Sequence, residues 1–369
     1  MRAESIPVRR FPVKRSAVVL TLIVASLFAA NVVFASGQKE GAAPAKASSA
    51  TELGIAIRTL TNPYQANYKV GAEMFAKTVG LNAVVLTCEG SSEKQVNDIK
   101  SLVAKTGGDC VIFIDPNEAT DAVAISKALD DAGVYFVTWW NKPEDLKVWD
   151  SKYWVAHISY DGLSAGEFMA TELFKTFKTP NKGKFIALQG MLANSIAQDR
   201  FKGMQNAVKA NPGVQLVAYE AADWDRSKAY EKTKNLLVAN PGIDGVWAAN
   251  DNMALGALEA LRDAGLAGKV KVVGCDGVDE MFDAIKKGEA AATVYNDAKY
   301  QAGIGLSIAL AAKNGKIDVA SLPKKNRQFF AGAVNVNAAN VDEILATYVN
   351  GTPKYDYADY FGGFVRVMD

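Results

Sequence analysis

The chain has 369 residues, 49% of them hydrophobic and 22% charged, with 41 basic and 40 acidic side chains. That is the composition of a globular protein long enough for two domains and a sizeable core. Beyond residue 35 the balance is 36 basic to 39 acidic, a net charge of −3 that excludes a nucleic-acid or anionic-membrane surface built on basic excess.

In chain order, a basic stretch (Arg9–Arg15) precedes an apolar run, Ala17–Phe34, broken only by Thr21, Ser26 and Asn31. Val33, Phe34 and Ala35 then supply the small residues of a cleavage site, so residues 1–35 read as an export signal cut near Ala35. An uncleaved anchor is the alternative, since the run is about 18 residues long. No Cys follows it to carry a lipid, and Arg9-Arg10 is a weak twin-arginine signal. Ser36–Ala50 lacks apolar periodicity and reads as a flexible tether.

From Leu53 onward short apolar runs alternate with amphipathic stretches. Strands are expected at 53–57, 83–87, 110–114, 135–138 and 154–158, with helices at 64–79, 93–105 and 119–132 between them. The pattern then repeats: helix 165–177, strand 184–188, helix 196–209, strand 214–218, helix 227–238, strand 245–248, helix 253–264, strand 270–274, helix 278–287 and strand 292–295. A helix at 297–313, one late strand at 327–336 and a short helix at 340–349 remain, followed by an aromatic-rich end, 351–369, expected to pack on a domain surface. Such β-α-β alternation means parallel sheets with right-handed crossovers. The fold class is α/β, with two doubly wound halves and the chain crossing between them more than once.

In open α/β sheets ligands bind outside the carboxyl ends of the strands. The residues there share one chemistry. Arg58, Asn62 and Tyr64 follow the first strand, and Trp140 and Asn141 the fourth. In the second half Gln189, Asn194 and Gln198 follow Leu188, Trp224 follows Ala218, Asn250 follows Ala248, Asp276 follows Cys275 and Asn296 follows Tyr295. Each alone could be a turn or a cap. Asn250 and Asp251, between a buried strand and a buried helix, divide these roles, Asn250 as a ligand contact and Asp251 as the cap. Together, planar hydrogen-bonding groups and aromatic plates fit a sugar, which has hydroxyls around its rim and C–H faces above and below.

Enzyme signatures are absent. No dinucleotide fingerprint, Walker A sequence or nucleophile elbow occurs. Asp115-Pro116-Asn117-Glu118 lacks the ligand pattern of a calcium loop, and no Cys or His has zinc spacing. Cys88, Cys110 and Cys275 lie in or beside strands as apolar filler, and the single histidine, His157, is in a strand. No cofactor and no metal are expected.

TLTNPY (59–64), ADWDRSKAYEKTKNLL (222–237), WAANDNMALGALEAL (247–261) and KVVGCDGVDE (271–280), supported by AATVYND (291–297), resemble the ribose/galactose type of periplasmic sugar-binding protein, the substrate-binding component of ABC importers. AVNVNAANVDEIL (333–345) resembles the C-terminal extension of some members. The resemblance implies the type I periplasmic binding protein fold, two Rossmann-like domains joined by a three-strand hinge. Its lobes would be 51–158 plus 297–330 and 159–296 plus 331–350, with 351–369 as an extension and crossings near Ser159–Asp161, Asn296–Asp297 and Ala331–Gly332. Carried over, the sugar contacts fall on Arg58, Asn62, Tyr64, Trp140, Asn141, Gln198, Trp224, Asn250, Asp276 and Asn296.

Three positions depart from ribose-binding relatives. Trp140-Asn141 stands in place of an Asp-Arg pair, Gln198 in place of an arginine, and Arg58 in place of a small hydroxyl residue. Less charge and more aromatic face open the ligand to a deoxysugar, polyol, disaccharide or nucleoside. The implied partners are a small-molecule sugar or polyol and an ABC permease, with no nucleic acid, and the protein is expected to be a monomer. A LacI-type repressor would need a DNA-binding helix-turn-helix where the export signal stands. A receptor subunit presenting sugar to a chemoreceptor or sensor kinase stays open as the alternative, and a Rossmann enzyme is the weakest rival.

Overall fold

The computed structural model describes residues 51–351 and 354–368. The expected export signal with its cleavage site, and the expected tether up to Ala50, lie outside the described residues. Among those described, no helix is long and apolar enough to cross a membrane.

The first half runs β1 (Glu52–Ile57), α1 (Pro63–Val79), β2 (Ala83–Thr87), α2 (Ser92–Thr106), β3 (Cys110–Ile114), α3 (Asp121–Ala132), β4 (Phe136–Trp139) and β5 (Trp154–Ser159). The second runs α4 (Gly162–Lys175), β6 (Gly183–Gln189), α5 (Ser195–Ala210), β7 (Val214–Ala221), α6 (Arg226–Ala239), β8 (Gly245–Ala248), α7 (Asp251–Asp263), β9 (Lys271–Val273), α8 (Asp279–Lys286) and β10 (Ala290–Tyr295). Then come α9 (Ala298–Lys313), β11 (Gln328–Ala331), β12 (Val334–Asn337) and β13 (Phe364–Val367).

Two sheets result. One has the order β13-β11-β5-β4-β3-β1-β2, the other β12-β10-β9-β8-β6-β7. Each contains the doubly wound order 2-1-3-4-5, with parallel strands throughout that core. Central strands such as β3 and β8 are buried along their whole length, because helices cover both faces of a parallel sheet. The protein is therefore an α/β molecule of two Rossmann-like units.

The chain passes between the sheets four times: from β5 to β6, from β10 into α9, which packs against α1 and β3, from β11 to β12, and from β12 back to β13. The single late strand expected over 327–336 is thus two strands in different sheets. Gln328–Ala331 runs parallel to β5, while Val334–Asn337 runs antiparallel to β10. Gly332 interrupts the run, but its local pattern carries no mark of which sheet each half joins. The aromatic C-terminal end packs on the first unit and adds β13, antiparallel to β11. The last short helix is one α-turn, Val341–Ile344, followed by a wider π-turn at Leu345–Val349.

Helix ends set the directions in which the site residues point. Asn62 caps α1, its Oδ1 accepting from the Tyr64 amide at 2.9 Å with Pro63 in the first turn, as the Asn-Pro pair predicts. Asn250 caps α7, its Oδ1 accepting from the Met253 amide at 3.0 Å. The cap is thus Asn250 and not Asp251. Asp251 is fully buried and accepts instead from the amides of Gly277 (2.7 Å) and Val278 (3.0 Å) and from Thr293 Oγ1 (2.7 Å). It ties the β9–α8 turn to α7.

Candidate functional site

Carboxyl ends of strands from the two sheets face one cavity of about 560 Å3. From the first unit, β1 delivers Arg58, Asn62 and Tyr64, β3 delivers Asp115, and β4 delivers Trp140 and Asn141. From the second, the β6–α5 turn delivers Met191 and Asn194, α5 delivers Arg200, β7 delivers Asp223 and Trp224, β8 delivers Asn250, and β9 delivers Asp276.

The second unit supplies a buried charge pair. Arg200 Nη1 lies 3.8 Å from Asp276 Oδ1, both almost inaccessible to water, and donates to the Ala249 carbonyl at 2.8 Å. Asn250 Nδ2 donates to Asp276 Oδ2 at 3.2 Å, so Asn250 is both helix cap and cleft residue. Burial pushes the Asp276 carboxyl well above the usual range, with Arg200 opposing and Asp251 reinforcing the shift. The Arg200 guanidinium also lies over the rings of Trp140 (5.1 Å) and Trp224 (5.8 Å).

The first unit supplies a second carboxylate. Asp115 accepts from Gln65 Nε2 at 3.0 Å and Asn141 Nδ2 at 3.3 Å. Burial raises it to about 7, against the pull of Arg58 and the Asn141 hydrogen bond. The aromatic walls have their polar tips occupied: Trp140 Nε1 donates to Tyr68 Oη at 2.6 Å, Trp224 Nε1 to Asn194 Oδ1 at 2.7 Å, and Tyr64 Oη to Gln301 Oε1 at 2.9 Å. What these side chains offer the cavity is therefore flat apolar surface.

The backbone here is strained. Six non-glycine residues have positive φ among the described residues, and Glu89 (49°), Trp140 (65°), Asp223 (53°), Trp224 (64°) and Asp276 (136°), five of the six, line the cavity. A bulky residue in this region costs of order 1–3 kcal/mol and persists only where surrounding structure holds it.

Eight of the ten expected contacts line this cavity: Arg58, Asn62, Tyr64, Trp140, Asn141, Trp224, Asn250 and Asp276. Gln198 does not. It lies on the exposed face of α5, its Nε2 donating to the Leu192 carbonyl at 2.8 Å. The buried face of that helix carries Ile196, Ala197, Arg200, Gly203 and Met204, so Arg200 is the arginine that enters the cleft, and the loss of charge inferred at Gln198 is corrected. Asn296 is not a cavity residue either. It is buried at the second crossing, with Nδ2 donating to Cys275 Sγ at 3.2 Å.

Asp115 and Gln65 are further cavity residues the sequence reasoning missed. Asp115 stands directly after β3, and the strand-end rule applied to Asp115-Pro116 would have found it; weighing that tetrapeptide only as a calcium loop passed over it. Gln65, in the first turn of α1, carries no such mark. Among the described residues no group of three or more His, Cys, Asp or Glu is placed to hold a metal ion. His157 is buried against Thr138 Oγ1 at 2.8 Å, and burial keeps its imidazole neutral.

Comparison with known proteins agrees with this architecture. A family model described as a periplasmic binding protein domain matches residues 53–317. The ribose import binding protein RbsB of Salmonella typhimurium is 33% identical over 250 residues, covering 68% of this chain and 80% of that protein. A solved structure described as a twin-arginine translocation pathway signal protein from Burkholderia phytofirmans superposes with a TM-score of 0.84 at 44% identity, covering 87% of this chain and 99% of the other. An ABC transporter periplasmic solute binding protein from Actinobacillus succinogenes, solved with bound D-allose, superposes with a TM-score of 0.71 at 27% identity over 79% of this chain and 99% of its own. Its two doubly wound units, the cleft between their strand ends and these matches place the chain in the periplasmic binding protein domain family, to which it belongs.

Proposed function

We propose that the protein is the exported solute-binding component of an ABC importer, which captures a neutral sugar or polyol in this cleft, closes over it and presents it to the permease. In this reading 51–158 with 297–330 and 159–296 with 331–350 are the two lobes, turning about three crossings. Residues 1–35 serve export, with cleavage near Ala35, and 36–50 form the tether. The protein acts as a binding protein rather than an enzyme, in a single copy.

One observation carries the reading: five left-handed, non-glycine residues, two of them tryptophans, converge on one cavity. Strain of that kind is retained where side-chain direction has a task. The task fits a sugar ring, with the faces of Trp140 and Trp224 against its C–H surfaces and the planar groups of Asn62, Asn141, Asn250, Asp115, Asp276 and Arg200 at its rim. Hydrogen-bonding groups fixed before the ligand arrives limit the ordering cost of binding. The similarity to proteins named for ribose import or solved with D-allose supports the same ligand class. Closure follows from differential affinity, since a ligand touching both lobes binds only the closed form fully.

A thermal-shift panel of ribose, D-allose, D-arabinose, myo-inositol, xylitol, glycerol and nucleosides tests the reading. A ligand at about 100 times its Kd adds roughly 2.7 kcal/mol of stability, a rise of several degrees in Tm. Silence across the sugars and polyols would overturn the assignment, and a response confined to nucleosides would change the ligand class.

A further inference from the structure

Asn194 occupies the N-cap position of α5 yet makes no capping hydrogen bond. Asn and Asp at that position ordinarily turn back onto the helix. Here the side chain is committed across the cleft. Its Nδ2 donates to the Asn117 carbonyl of the first lobe at 2.7 Å. Its Oδ1 accepts from Arg58 Nη2 of the first lobe at 3.3 Å and from Trp224 Nε1 of its own lobe at 2.7 Å. The residue is only 1% exposed.

Its surroundings repeat the pattern. The Ala119 amide donates to the Ala193 carbonyl at 3.1 Å, a backbone hydrogen bond joining the two lobes. Arg58 also donates to the Asn117 carbonyl at 3.0 Å and touches the Met191 sulfur. Arg58 Nη2 is thus already shared between the two lobes, although the side chain borders the cavity. None of these contacts requires a ligand.

We propose that Asn194 is the keystone of a latch between the lobes, a positioning residue that couples the ring of Trp224 to the first lobe and biases the cleft toward closure before ligand enters. Arg58 acts through this latch, its Nη2 gripping the β6–α5 turn rather than the ligand. Opening returns every group of the latch to water, so the latch biases an equilibrium and does not lock it. Its effect on affinity follows from mass action: apparent Kd rises in inverse proportion to the fraction of molecules already able to close.

The inference rests on the hinge-closure reading but not on which ligand is bound, and the test separates the two. Val123 in α3 and Val238 in α6 are exposed, one on each lobe, and the three native cysteines are buried. Cysteines introduced at these two positions accept a donor and an acceptor dye, and single-molecule energy transfer reads the separation of the lobes without ligand. Asn194→Ala and Arg58→Met should both move the ligand-free population to longer separations. The Kd for D-allose or ribose, whichever binds, should rise roughly three- to tenfold, through faster dissociation. Arg58→Met keeps the length of the stem and removes the donors, so it carries the test if Asn194→Ala melts early. Wild-type separations in both variants would overturn the latch. Opening in the variants with no binding of any sugar or polyol would keep the latch and overturn the sugar reading instead.

Discussion

Arg200 and Gln198 stand two positions apart on α5, about 200° around the helix, and so face opposite environments. Arg200 is buried beside Asp276, while Gln198 is in solvent. Removing one partner of a buried charge pair leaves the other uncompensated, at a cost of about 3–5 kcal/mol. Arg200→Met should therefore lower stability by that order and weaken ligand binding more than tenfold. Gln198→Ala should stay within about 0.5 kcal/mol of the parent. Calorimetric titration and chemical denaturation of the pair decide between them, and the reverse ranking would return the site to Gln198. Strand-end logic makes most of the cleft legible in the sequence, because a residue just past a strand has few directions to take. A helical residue several positions further on can face the ligand or the solvent, and one misjudged step of register exchanges the two. Asp115 gives a second prediction at this scale. Its folded value, about 7, lies above the ordinary unfolded value of about 3.9. Between those values the folded chain holds a proton that the unfolded chain has lost. Stability therefore falls as pH rises through that window, by up to about 1.4 kcal/mol per pH unit, and this contribution stops changing above pH 7. Asp115→Asn removes it, together with the lesser push that the Asp115 charge exerts on Asp276. The ligand-free Tm of the variant minus that of the parent should grow between pH 5 and 7 and then level off; a flat difference would show that Asp115 ionises freely.

At the scale of elements, the packing of α4 on α5 determines how far Arg200 reaches. A Cβ on Gly166 would strike the backbone carbonyl of Arg200, and one on Gly203 that of Leu163. The two helices therefore cross nearly backbone to backbone, and Arg200 is carried to the cleft by that depth. Gly203→Ala forces them apart. Overpacking of this kind costs about 1–3 kcal/mol, and here it should also weaken ligand binding several-fold, since Arg200 moves with its helix. Melting and titration on one variant check both effects, and lost stability with intact affinity would uncouple helix depth from the site. The alternation of elements is readable because parallel β-α-β units repeat one apolar pattern. Partner choice is not. Arg327–Val336 looks like one strand because Phe329, Phe330, Val334 and Val336 form one β-favouring stretch across Gly332, yet Gln328–Ala331 and Val334–Asn337 pair in separate sheets. The pairing of Phe364–Val367 with β11 is likewise a long-range event that no local period announces.

At the scale of the whole molecule, the C-terminal extension, itself reached by the last crossing, contacts the other three crossings between the sheets. Arg366 pairs with Asp161 at 2.7 Å beside the first crossing, where Asp161 caps α4. Tyr355 Oη donates to Asp297 Oδ2 at 2.7 Å at the second, where Asp297 caps α9. At the third, the Gly332 amide donates to the Gly363 carbonyl at 3.2 Å. The matched family domain ends at residue 317, so this brace lies outside it. A segment bound to these three crossings in one conformation favours that conformation by the differential strength of its contacts. Neither side-chain contact is strong. The Arg366 pair is partly exposed and contributes up to about 1 kcal/mol, and a part-buried hydroxyl–carboxylate bond such as that of Tyr355 about 1.5–3. Combined, they are enough to shift a hinge equilibrium about tenfold or more while leaving a large α/β core folded. Arg366→Ala with Tyr355→Phe should therefore lengthen the mean separation of the lobes in small-angle scattering and weaken ligand binding by about that factor. Deleting 354–369 is the poorer test, because Tyr357 packs on Phe75 at 5.2 Å and its loss would uncover α1. Substitution at two contacts leaves that packing in place, so an unchanged separation and affinity in the double variant would mean that the extension only covers the first lobe and has no part in its motion.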